Sequence, residues 1–177
     1  GADGTGTFQL FVADVDGSNE TCLSAAFLTT HVGMAHWHPS GDWLVCTREM
    51  TVGYYGVHFN AHPGKGIFTN IWAVRPDGTD WTQLTTYDST RDGSPMHSPI
   101  GALQCRFNAA GDTLAWSSKI GTDAAIPFAY WNLCIAEFTL PGDVPTLDGP
   151  GVYTPGSGTF YEVFDWNDAG TEILVAT

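Results

Sequence analysis

The stretch NIWAVRPDGTDWTQLT (70–85) decides how this chain is read. Ile71, Ala73 and Arg75 alternate with Trp72 and Val74, the period-two pattern of a strand. Pro76, Asp77 and Gly78 supply a tight turn, where glycine takes positive φ freely and aspartate bonds its own backbone. Residues 81–85 then return as a second short strand. The pattern recurs at 10–24, where LFVADVDGSNETCLS sets Asp16-Gly17 over Asp77-Gly78. A looser copy, LCIAEFTLPGDVPTL (133–147), puts Gly142 in the turn.

A second kind of segment alternates with the first. HWHPSGDWLVCT (36–47), RFNAAGDTLAWS (106–117) and DWNDAGTEILVA (165–176) align without a gap. Trp37, Phe107 and Trp166 open them, and Gly41, Gly111 and Gly170 follow four residues later, ahead of an apolar strand. Glycine at one offset in every copy predicts a turn that needs positive φ or a close approach. The copies are 70 residues apart from Trp37 to Phe107 and 59 from Phe107 to Trp166. That exceeds the ~40–45 residues of a compact four-stranded repeat, so insertions are expected at 50–69, 87–102, 120–130 and 148–159. No apolar period of 3.6 is sustained, and the chain reads as all-β.

These alternating units resemble the TolB-like β-propeller repeat, a WD-repeat-like pattern. Trp37-His38-Pro39-Ser40-Gly41, then Ile71-Trp72-Ala73-Val74 with Asp77-Gly78, match its familiar form, and the other copies keep the aromatic and glycine but lose the proline. The resemblance implies four-stranded antiparallel blades over 8–177, after a lead-in at 1–7. The segments are a half blade at 8–24, blades at 36–86 and 103–147, and a half blade at 160–177. These amount to three blades, whereas rings close with about four to eight. The chain is therefore expected to be part of a longer propeller, or half of a ring shared by two copies. Open sheet edges would favour a homodimer or larger assembly.

Composition narrows the partners. Six Lys and Arg stand against nineteen Asp and Glu, for a net charge of −13. Such a field repels phosphate backbones and anionic membranes, so nucleic-acid binding is not expected. No apolar run approaches the ~20 residues of a membrane span. Low lysine content and the sequence pI near 4.4 fit an extracellular or periplasmic protein. Cys46 and Cys134 lie inside strand-like runs and read as small buried hydrophobes.

The insertions hold the residues with chemistry, since long loops on a rigid scaffold are where binding sites gather. Tyr54, Tyr55, His58 and His62 fall in the first insertion, and Asp92 and His97 in the second; these are the candidate ligand-binding residues. His36 and His38, two apart on a strand, point to one side and form the candidate pair for a divalent metal. The alternative for that pair is an ordinary polar lining of an inner strand. Asp14, Asp16, Asp42, Asp77, Asp112 and Asp168 sit at turns, where they support turn geometry. No Gly-x-Ser-x-Gly elbow or nucleotide-binding glycine fingerprint occurs. The leading expectation is a non-enzymatic binding module for a protein or carbohydrate ligand. The rivals are a metal-assisted enzyme acting on polysaccharide, resembling the oligogalacturonate lyases, and a structural subunit of an extracellular polymer.

Overall fold

Strands make up nearly all regular structure in the computed structural model, which describes residues 7–50, 69–87, 101–119, 131–153 and 161–176. β1 (Phe11–Val12) and β2 (Thr21–Cys22) form a two-stranded antiparallel pair. β3 (Val32–Trp37), β4 (Leu44–Glu49), β5 (Thr69–Val74) and β6 (Thr82–Gln83) follow as a four-stranded antiparallel sheet in chain order. β7 (Gly101–Phe107), β8 (Thr113–Lys119), β9 (Trp131–Thr139) and β10 (Thr146–Tyr153) repeat that sheet. β11 (Glu162–Trp166) and β12 (Ile173–Ala176) close the described chain as a second pair. Among the described residues the helical elements are single 3-10 turns at Ala25–Phe27 and Pro141–Asp143. No described helix is long and apolar enough to cross a membrane.

The glycines explain why the turns repeat. Gly41, Gly111 and Gly170 have φ of 79°, 79° and 66°, and Gly17, Gly78 and Gly142 have φ of 83°, 84° and 60°. Each lies in the left-handed region that side chains disfavour. Asp16 and Asp77 lock their turns alike, accepting from the N–H of Ser18 and of Thr79 at 2.9 Å. The neighbouring hydroxyls add 2.7 and 2.6 Å bonds, and these contacts hold both carboxyls below the ordinary aspartate range.

One strand begins earlier than the sequence suggests. β3 opens at Val32, ahead of the blade start expected at 36, so His36 lies near its end and His38 starts the following turn. The cause is a bulge in the first strand of each unit. Register slips between Gly33 and His36, between Leu103 and Arg106, and between Val163 and Asp165. A bulge breaks the period of two, which hides the strand from a reading by alternation.

The two four-stranded sheets share one core. Trp43, Val45, Ile71 and Ala73 of the first pack with Cys105, Phe107, Trp116 and Phe138 of the second. Cys46, Cys105 and Cys134 are buried free thiols, and burial pushes Cys105 up to about 12 and Cys134 to about 11. Arg75 clamps the outer seam, its guanidinium 4.0 Å from the Trp43 ring centre and ion-paired with Asp143 of the second sheet. Exposed ion pairs contribute little, and a cation over a ring adds about 0.5–1 kcal/mol. Arg75→Ala is therefore expected to lower stability by about 1–2 kcal/mol in a urea titration, with an unchanged slope.

Candidate functional site

The three aligned segments bring matched positions together along the first strands of their units. The residue before each aromatic is His36, Arg106 and Asp165 in turn. These side chains are near enough for Arg106 and Asp165 both to act on the His36 ring. Burial first, then the Arg106 charge, holds the imidazole below its ordinary value, while Asp165 pulls the other way. His36 Nδ1 accepts the Phe107 N–H at 3.3 Å, so the neutral ring carries its proton on Nε2. Arg106 is fixed by donating from Nε to the Phe164 carbonyl at 3.0 Å and from a terminal nitrogen to the Cys105 carbonyl at 2.9 Å. Asp165 is exposed. The row offers a held cation, a half-buried imidazole and an exposed carboxylate whose Oδ1 accepts the Trp166 N–H at 2.9 Å.

Backbone strain lies beside this row. Met34 and Gln104, matched positions in β3 and β7, have φ of 52° and 44° at the two bulges. Such left-handed residues cost of order 1–3 kcal/mol each and gather at sites that need a fixed, re-aimed side chain. Gln104 donates to Glu162 of β11 at 2.6 Å and leaves its own oxygen without a partner among the described residues.

His38 has another task. Its Nδ1 meets Ser40 Oγ at 2.9 Å, and its Nε2 meets the Gly111 carbonyl at 3.0 Å across the sheet boundary. Asn108, the matched residue of the next unit, also lies against a glycine, its amide nitrogen 3.3 Å from where a Cβ on Gly170 would stand, though it donates to Asp112 of its own turn at 2.7 Å. His38 and His36 do share a side, both stacking near Phe107 with ring centres 4.9 and 6.2 Å away. A metal ion on His38 would have to displace the Ser40 or Gly111 contact. Among the described residues no three His, Cys, Asp or Glu gather as a metal site.

A second polar centre occupies the strand ends that lead into the first insertion. Glu49 is 3% exposed, accepts the His31 N–H at 2.9 Å on one oxygen, and leaves the other without a partner among the described residues. Burial raises this carboxyl to about 7, against the smaller opposing pull of the His31 N–H. His31 Nδ1 accepts the Phe8 N–H at 3.0 Å, and Glu49 N–H donates to the His31 carbonyl at 3.0 Å. Arg48 turns away to stack on Phe27 and Trp72 at 3.6 and 4.7 Å.

Tyr54, Tyr55, His58, His62, Asp92 and His97 lie outside the described residues. Arg106, Asp165 and Glu49 went unnoticed in the sequence. For the first two a signal exists, since stacking the aligned segments puts three polar residues of unlike charge in one column. Glu49 has none, because a carboxylate ending an apolar strand ordinarily reaches water. No protein-family model matches the chain, and no curated protein matches it.

Proposed function

We propose that the chain is part of a TolB-like β-propeller and acts as a binding module, without chemistry of its own, for a protein or carbohydrate ligand outside the cytoplasm. Blades arranged about an axis put their first strands innermost, so His36, Arg106 and Asp165 would line that axis. The observation that carries the reading is this row, three different polar side chains at one repeat position beside two strained bulges. Scaffold positions in a repeat favour like residues, whereas a recognition surface diversifies them. A cation and a carboxylate beside an imidazole suit hydroxyl and carboxylate groups, which take paired hydrogen bonds.

The test uses immobilised oligosaccharide and peptide arrays, probed with the wild-type chain and with Arg106→Gln combined with Asp165→Asn. Ligands held by the wild type should weaken at least tenfold in the double variant, at unchanged far-UV circular dichroism. Equal retention by both proteins would remove the row from the function. Cleavage of a retained ligand would move the chain to the enzyme class.

A further inference from the structure

We propose that the ligand of the row is an uncharged saccharide, held by neighbouring hydroxyls that accept from Arg106 and donate to Asp165, with His36 donating to one of them. The inference rests on the binding reading above and names the class of ligand it takes.

Arg106 and Asp165 carry opposite charges at matched positions of two first strands, β7 and β11, yet they do not pair with each other. The ion pairs among the described residues are those of Arg75 with Asp80 and with Asp143. Other contacts fix the two groups instead. Arg106 donates from Nε to the Phe164 carbonyl at 3.0 Å and from one terminal nitrogen to the Cys105 carbonyl at 2.9 Å. Phe164 precedes Asp165, so the guanidinium is set one residue from the carboxylate along β11. Asp165 turns Oδ1 back to the Trp166 N–H at 2.9 Å, and the Trp166 indole N–H reaches the Arg106 carbonyl at 3.1 Å. Among the described residues, the second terminal nitrogen of Arg106 and Oδ2 of Asp165 make no hydrogen bond. A charged donor and a charged acceptor are thus held near one another and kept apart.

One chemical group answers both. A hydroxyl accepts from a guanidinium and donates to a carboxylate through the same oxygen, whereas a peptide group divides donor and acceptor between two atoms. Hydrogen bonds to ionised partners are roughly twice as strong as neutral ones, so each hydroxyl held this way gains from both ends. A sugar ring sets such hydroxyls side by side. His36 supplies a further donor, because its Nδ1 takes the Phe107 N–H at 3.3 Å and leaves Nε2–H for the ligand.

Charge decides against an acidic sugar. Burial and Arg106 hold His36 below its ordinary value, so at neutral pH the ring adds little positive charge. Glu162, also on β11, brings a second carboxylate, fixed by the Gln104 amide at 2.6 Å. One guanidinium therefore stands beside two carboxylates, in a chain of net charge −13. Such a field repels an anion, and the fixed guanidinium repels a cation. An uncharged ligand meets neither penalty.

The probes are arrays of neutral oligosaccharides, of oligosaccharides carrying uronic or sialic acid, and of peptides, exposed to the wild-type chain, Asp165→Asn and Arg106→Gln. The wild type should retain neutral sugars, and each variant should hold them at least tenfold more weakly with an unchanged far-UV spectrum. Calorimetric titration of a retained neutral sugar should give affinities within about twofold of each other at low salt and at about 1 M, where the screening length is about 3 Å. An acidic sugar would reverse the sign at Asp165, since removing that carboxylate would tighten its binding. Retention of acidic sugars or of peptides in place of neutral sugars overturns the assignment and leaves the binding reading standing. No retained probe, or retention that neither variant alters, overturns both.

Discussion

Replacing Gly111 with alanine is expected to destabilise the protein by about 3 kcal/mol or more, while Gly41→Ala costs only about 1 kcal/mol. Both glycines have φ of 79°, so the backbone strain introduced by a Cβ is the same at each. The difference lies in what the methyl meets. At Gly111 it would stand 2.5 Å from His38 Nε2 and 3.1 Å from Pro39 Cδ. The imidazole cannot simply swing aside, because Ser40 and the Gly111 carbonyl hold both its nitrogens and the Phe107 and Phe138 rings flank it. Moving it breaks a buried hydrogen bond, worth about 1 kcal/mol, and loosens the packing of Phe107. Thermal unfolding of the two variants at micromolar concentration or below reads the contrast directly, at roughly 2–4 °C per kcal/mol for a chain of this size. Equal shifts would mean that the seam between units does not bear on stability.

Stability should fall as pH rises from about 4.5 to about 7, and Glu49→Gln should remove most of that fall. Glu49 has an ordinary value of 4.5 and is raised to about 7 by burial. Below pH 4.5 the carboxyl is protonated in both folded and unfolded chains, and its contribution is neutral. Between those values the unfolded chain releases the proton and the folded chain keeps it, so unfolding gains ground with each increment. Above about pH 7 the folded chain holds an ionised, buried carboxylate, and the loss levels off at roughly 3 kcal/mol. Glutamine keeps an oxygen for the His31 N–H and has no charge to bury, so the variant should be the more stable protein at pH 8 and near parity at pH 4. Denaturant titrations at those two pH values decide it. A variant that tracks the wild type at both would show that Glu49 finds a partner when it ionises.

The all-β reading was legible because glycine betrays its backbone. Every turn glycine picked out by the repeats, from Gly17 to Gly170, has positive φ. The start of β3 was not legible, since its bulge puts Met34, an unremarkable residue, into the left-handed region. The seam was half legible. Gly111 announced a close approach, but nothing in the local sequence said that His38, 73 positions earlier, is what approaches it. His38 and Asn108 stand at matched positions against Gly111 and Gly170 with different side chains, so a search for repeated residues passes over them. The same difficulty hid Arg106 and Asp165, whose meaning comes from contrast within a column. Sequence reading favoured histidines for their chemistry and put His36 and His38 together; both rings lie against Phe107, and His38 also bridges to the Gly111 carbonyl.

The joint between units has a consequence for how the molecule opens. Each unit rests on its neighbours, through His38 and Gly111 on one side and Asn108 and Gly170 on the other. A row of units of this kind behaves as a nearest-neighbour chain, in which each unit draws support from the faces its neighbours cover. Amide exchange should then be slowest in the buried strands β4, β5 and β8 and faster in β1, β2 and β12, whose residues are half-buried or exposed. A substitution that loosens one joint should then speed exchange first in the strands on both sides of it, although no hydrogen bond inside those strands has changed.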